Sequence, residues 1–149
     1  MRRRTAAALV VVAVLTGCSR GPVQLPAPQP DAAARTTCES VMTALPAAVL
    51  DQPRRDTRSS LTAAWGDPPI TLSCGVAAPT GQNAASQCFE VNGVGWYAEQ
   101  GSGGYLFDTI GRAVTVEVGV PDRYAPQANA LVDLAEAISR HDPVRSPCL

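Results

Sequence analysis

Four cysteines, Cys38, Cys74, Cys88 and Cys148, constrain this chain more than any other feature. An even set in an exported chain implies disulfides, and four cysteines allow three pairings. The pairing favoured by neighbourhood is Cys74 with Cys88, across adjacent strands, and Cys38 with Cys148, stapling the N-terminal helix to the tail. A metal site is the rival use of such residues. There is no C-x-x-C, and His141 is the sole histidine, so no zinc site and no cofactor are expected.

Export is read from the first eighteen residues. Arg2, Arg3 and Arg4 precede ten apolar residues, Ala6 to Leu15. Ten residues are too few for a membrane-spanning helix, which needs about 20, and they suit a signal-peptide core. Leu15-Thr16-Gly17-Cys18 resembles the lipobox of bacterial lipoproteins, which implies a lipid on the Cys18 sulfur and cleavage just before it. Two acyl chains, at about 0.8 kcal/mol per buried methylene, give stable anchoring. Residues 1–17 are thus expected to be a signal peptide, and the mature chain to sit on the outer face of the cell membrane. Residues 18–36 carry Pro22, Pro26, Pro28 and Pro30 and read as an extended tether, reaching roughly 50 Å at about 3.1 Å per residue.

Residues 37–149 suffice for one domain and not two. From residue 19 onward nine arginines face thirteen acids, a net charge of −4, and the chain contains no lysine. Nucleic acid is therefore excluded as an expected partner.

A helix is expected from Thr36 or Thr37 to about Val49, with Pro46 giving a kink or an early end near Ala44. Asp51 to Ser60 reads as a polar loop whose end begins a short helix through Ala64. Trp65-Gly66-Asp67-Pro68-Pro69 is turn chemistry leading into a strand at Ile70, Leu72 and Cys74. Asn92-Gly93 marks a hairpin between Cys88–Val91 and Val94–Ala98. Tyr105–Ile110 and Ala113–Val120 form a further pair, the second with strictly alternating valines. A helix from about Pro126 carries the stripe Leu131, Leu134, Ala135 and Ile138, and Asp142-Pro143 closes it. The expected fold is α+β: an antiparallel meander of four or five strands with N-terminal and C-terminal helices packed on it, held by disulfides.

These motifs together resemble an uncharacterised family of actinobacterial exported proteins, domain of unknown function 3515. The resemblance rests on Cys38 before Ala44-Leu45-Pro46, on Ala64-Trp65-Gly66-Asp67-Pro68-Pro69-Ile70, on Leu72-Ser73-Cys74-Gly75-Val76, on Val91 to Trp96, and on Gly111-Arg112. It implies location and fold and brings no activity.

Catalytic patterns are thin. His141 falls at a helix C-terminus, where an imidazole interacts with terminal carbonyls. No G-x-S-x-G occurs, the glycines at 101–104 lack a following lysine and helix, and carboxylate pairs drawn from Asp67 with Glu90 or Glu117 have nothing to place them together. Binding is the better-supported class. Arg54, Arg55 and Arg58, with Trp65 and Asp67, form the candidate surface for an anionic envelope component or an envelope protein. The expected function is a membrane-anchored, non-catalytic binding or accessory module; a small envelope hydrolase is the alternative.

Overall fold

Asp31 accepts a hydrogen bond from the Ala34 amide (2.9 Å) and so caps the first helix, α1, over Ala32–Ala44. In a computed structural model of the chain, the residues described are 21–82 and 87–148. The helix starts earlier than Thr36 because an Asp cap followed by three alanines is the stronger signal. Thr36 and Thr37 lie inside it, their hydroxyls donating back to Ala32 and Ala33 carbonyls. It ends at Ala44, where Pro46 holds Leu45 in an extended conformation (φ −62°, ψ 143°).

The sheet has eight strands, not four or five: β1 (Ala48–Val49), β2 (Gln52–Arg55), β3 (Thr62–Trp65), β4 (Ile70–Val76), β5 (Phe89–Val91), β6 (Val94–Gly101), β7 (Gly104–Thr109) and β8 (Thr115–Pro121). Their order is β1-β2-β3-β4-β8-β7-β6-β5, all antiparallel, so two four-strand meanders are joined where β4 pairs with β8. The first three strands replace the expected loop and short helix. β2 is polar because it lies near the sheet edge with both faces partly wet, and β3 is rich in alanine because its four residues are all buried.

A short 3₁₀ turn, Asp122–Tyr124, leads to the second helix, α2, over Asn129–His141. Both helices cover one face. Trp65, Ile70, Leu72, Cys74, Trp96, Val116, Val118 and Val120 from the sheet bury against Val41 of α1 and Leu131, Leu134 and Ile138 of α2. Between those valines, Thr115, Glu117 and Gly119 are half-buried on the opposite face, as the alternation requires. Among the described residues, no helix is long and apolar enough to cross a membrane.

The disulfides differ from the favoured pairing: they join Cys38 to Cys74 and Cys88 to Cys148. α1 lies across β4, which brings Cys38 to a Cα distance of 5.5 Å from Cys74. Cys88, just before β5, meets the tail instead, at a Cα distance of 6.0 Å. The tail is held further by Gly111, whose carbonyl accepts from the Arg145 and Ser146 amides. Arg112 donates to the carbonyls of Asp142 and Gly93. Part of the expected tether is docked as well. The Val23 amide donates to the Asp56 carbonyl at 2.8 Å, and Pro30 packs over Gly75, where a Cβ would fall 2.8 Å from its ring.

Candidate functional site

Arg54 and Arg55 are consecutive residues of β2, so their side chains leave on opposite faces. Arg54 stays exposed and its guanidinium lies 5.5 Å from the Trp65 ring centroid. Trp65 is 0% exposed and donates its indole N–H to the Pro46 carbonyl (3.1 Å), so it is a core anchor and offers no stacking surface. Arg55 is occupied by the turn: it donates to the Gly66 carbonyl (3.1 Å) and the Gly21 carbonyl (3.4 Å), and pairs with Asp67 at 3.9 Å. Gly66 adopts φ +72° with Tyr124 and Gln52 tight against it, and Tyr124 donates to the Pro68 carbonyl (2.8 Å). The Trp65–Pro69 stretch is therefore a cross-braced corner. Arg58 is exposed, three residues beyond the end of β2, and Arg54 and Arg55 do not share a face.

His141 ends α2 and is exposed. It enters a cleft with Ala44, Pro46, Asp133, Glu136 and Arg140. Asp133 is committed to the Leu50 amide (2.8 Å), and Glu136 to Arg140 (2.7 Å). Among the described residues, no hydroxyl or thiol lines that cleft. Cys18 lies outside the described residues.

The chemistry that the structure does gather lies on the face of the sheet away from the helices. Two cross-strand rows run side by side there. In one, Tyr97 faces Asp108, Asp108 faces Glu117, and Glu117 faces Ser73. In the other, Glu99 faces Leu106, Leu106 faces Gly119, and Gly119 faces Thr71. Like charges directly opposite one another across a strand pair are destabilising, so the Asp108–Glu117 juxtaposition is not a folding device. Asp108 is 2% exposed, and its Oδ1 has no hydrogen-bond partner among the described residues. Burial first, then the nearby Glu117 and Glu99 charges, push its carboxyl up to about 7. Burial also raises Glu117, and burial followed by the Glu99 charge raises the Tyr97 hydroxyl. Tyr97 reaches Glu99 at 3.5 Å. Backbone at Gly81 closes over this edge, a Cβ there falling 2.8 Å from the Tyr97 hydroxyl.

Beside the carboxylates runs a mainly apolar groove of about 270 Å³, lined by Pro69, Thr71, Gly104, Leu106, Gly119 and Pro121. Leu106 is 41% exposed at its margin. From the sequence, Glu117 is weighed only with Asp67, with nothing to place the two together, and Asp108 and Glu99 are not singled out. The signal was present: the turn at Gly101–Gly104 fixes the register that sets Asp108 against Tyr97, and the valine alternation sends Glu117 outward.

Asp142 is the second buried carboxylate, and it is structural. It closes α2, and its Oδ1 accepts from the Ala113 and Val114 amides at 3.1 and 3.2 Å. Burial raises it to about 6 against the opposing pull of those amides and of Arg112.

No curated protein and no solved structure matches the chain. Residues 4–146 match the family model described as "Protein of unknown function (DUF3515)", and the chain belongs to that family.

Proposed function

We propose that this chain is an exported lipoprotein, held to the outer face of the cell membrane by lipid on Cys18, whose domain binds a partner and does not catalyse. One observation supports the binding role above the rest. Both helices cover one face of the sheet, and the other keeps a half-buried relief of acids, a tyrosine and an apolar groove on a twice-stapled frame. Rigid strands are good supports for a binding surface, because side-chain positions there are set by the pleat. The two disulfides support export, since such bonds persist in oxidising compartments. Arg54 and Arg58 are the residues expected to meet an anionic envelope component or an envelope protein.

Site-specific photocrosslinking in living cells tests this, and suits a chain without lysine. A photoreactive residue in place of Leu106 or Arg58 should each capture a discrete envelope molecule if both surfaces bind. Capture at neither position would overturn the binding role. Metabolic labelling with radioactive palmitate, abolished by Cys18→Ser, should establish the anchor; a labelled Cys18→Ser chain would overturn it.

A further inference from the structure

Three outward side chains on three adjacent strands, Glu99 of β6, Asp108 of β7 and Glu117 of β8, carry the unexplained charge of this molecule. Asp108 is the one that points to a ligand. A buried acceptor without a partner costs about 1–3 kcal/mol. Of the four buried polar atoms without a partner among the described residues, the others being Trp96 Nε1, Arg112 Nε and Asp142 Oδ2, only that of Asp108 lies on the outward face beside other acids. Its Oδ1 is such an acceptor, on a side chain hidden from solvent on the same face as Glu117.

The missing partner is a hydrogen-bond donor, and the described residues do not supply it. Among the described residues, no arginine pairs with Glu99, Asp108 or Glu117. Lysine is absent from the whole sequence. A compact metal ion fits the geometry poorly: among the described residues, no three ligating side chains converge closely enough to hold one. Strands lie about 4.8 Å apart, so Asp108 and Glu117 stand side by side, and one cationic donor at Asp108 is within the field of both.

The neighbouring row indicates what that group is attached to. Leu106 stands between Glu99 and Gly119, and beyond it the groove of about 270 Å³ has mostly apolar walls. An ion on an apolar stem is the ligand that satisfies both rows at once. We infer that this face binds an alkylammonium group, its nitrogen held at Asp108 beside Glu117, within the field of Glu99, and its stem lying along Leu106 and Gly119. The ammonium donates to the unpartnered Asp108 oxygen, and the stem covers an exposed leucine. The inference rests on the reading of the domain as a binding module and names the chemistry of its ligand. The amine can belong to a small molecule or to a lysine side chain of a partner, and the two are separable.

At neutral pH the Asp108 carboxyl is partly protonated, so binding a cation must expel a proton. Titration calorimetry on the full chain, disulfides formed, in neutral detergent, measures this directly. The probes are n-butylammonium, Nα-acetyl-lysine amide and calcium chloride, each at pH 7 in two buffers of different ionisation heat. Binding of either amine is expected, with a fraction of a proton released. Asp108→Asn should weaken it by at least about tenfold and remove the proton release. Glu99→Gln, at a more exposed position, should weaken it a few-fold with an unchanged thermal midpoint. Tighter binding of the free amine points to a small molecule, and tighter binding of the lysine amide to a protein partner. Equal affinity in Asp108→Asn, binding of calcium in place of the amines, or no amine binding up to about 10 mM would overturn the inference. Crosslinked capture at Leu106 that survives Asp108→Asn would leave the binding-module reading standing without it.

Discussion

Asp108, Glu117 and Asp142 share a sign. Each holds its proton more tightly in the folded chain than an ordinary carboxylate does. The stability they contribute is therefore full at acid pH and lost as pH rises through about 6 for Asp142 and about 7 for Asp108. Urea midpoints of the unliganded protein should rise as pH is lowered from 8 to 5, by an amount on the order of 1–3 kcal/mol. Asp108→Asn should flatten most of the part above pH 6. A midpoint that falls over that range would show that these carboxyls are not held as described. The two tryptophans give a second contrast at this scale. Both are fully buried, but the Trp65 indole donates to the Pro46 carbonyl while the Trp96 Nε1 has no partner. Replacing either by Phe removes similar volume, so Trp65→Phe should cost about 1 kcal/mol more than Trp96→Phe in chemical denaturation, because it orphans a carbonyl.

Helix α1 is fixed to the sheet by its packing and by the Cys38–Cys74 bond, which closes a span of 36 residues. Loss of that constraint in a Cys38→Ala, Cys74→Ala chain should lower stability by up to about 4 kcal/mol, read as a shift in denaturant midpoint. The elements with strong periodicity were legible in the sequence: the Asn92-Gly93 hairpin, the valine strand and α2 all lie where their patterns place them. The first meander was not. Gln52–Arg55 carries the polar residues of a strand near an edge, and Thr62–Trp65 carries the alanines of a strand hidden on both faces, so neither shows a period of two. The cysteine pairing was illegible for a different reason. It depends on which strand α1 crosses, a tertiary fact with no local signature. The carboxylate face was half legible, since alternation gives the outward direction of Glu117 but only the hairpin register brings Asp108 beside it.

For the molecule as a whole, the connectivity has a direct chemical readout. Without lysine, trypsin cuts only at arginine, and Cys74 and Cys88 share the fragment 59–112. Under non-reducing conditions the bonds described here hold fragments 36–54, 59–112 and 146–149 in one linked species. Pairing of Cys38 with Cys148 would instead release 59–112 alone, so mass spectrometry of the digest excludes or establishes that pairing at once. The docking of Val23 against Asp56 matters at the same scale. With Cys18 acylated as proposed, the span from lipid to first docked residue is five residues, at most about 18 Å when fully extended, and not the roughly 50 Å of a free polyproline arm. Such an anchor would hold the domain on a short span and not on a long arm. On that proposal the domain would lie close to the headgroups, and whatever it meets would have to come to the bilayer surface.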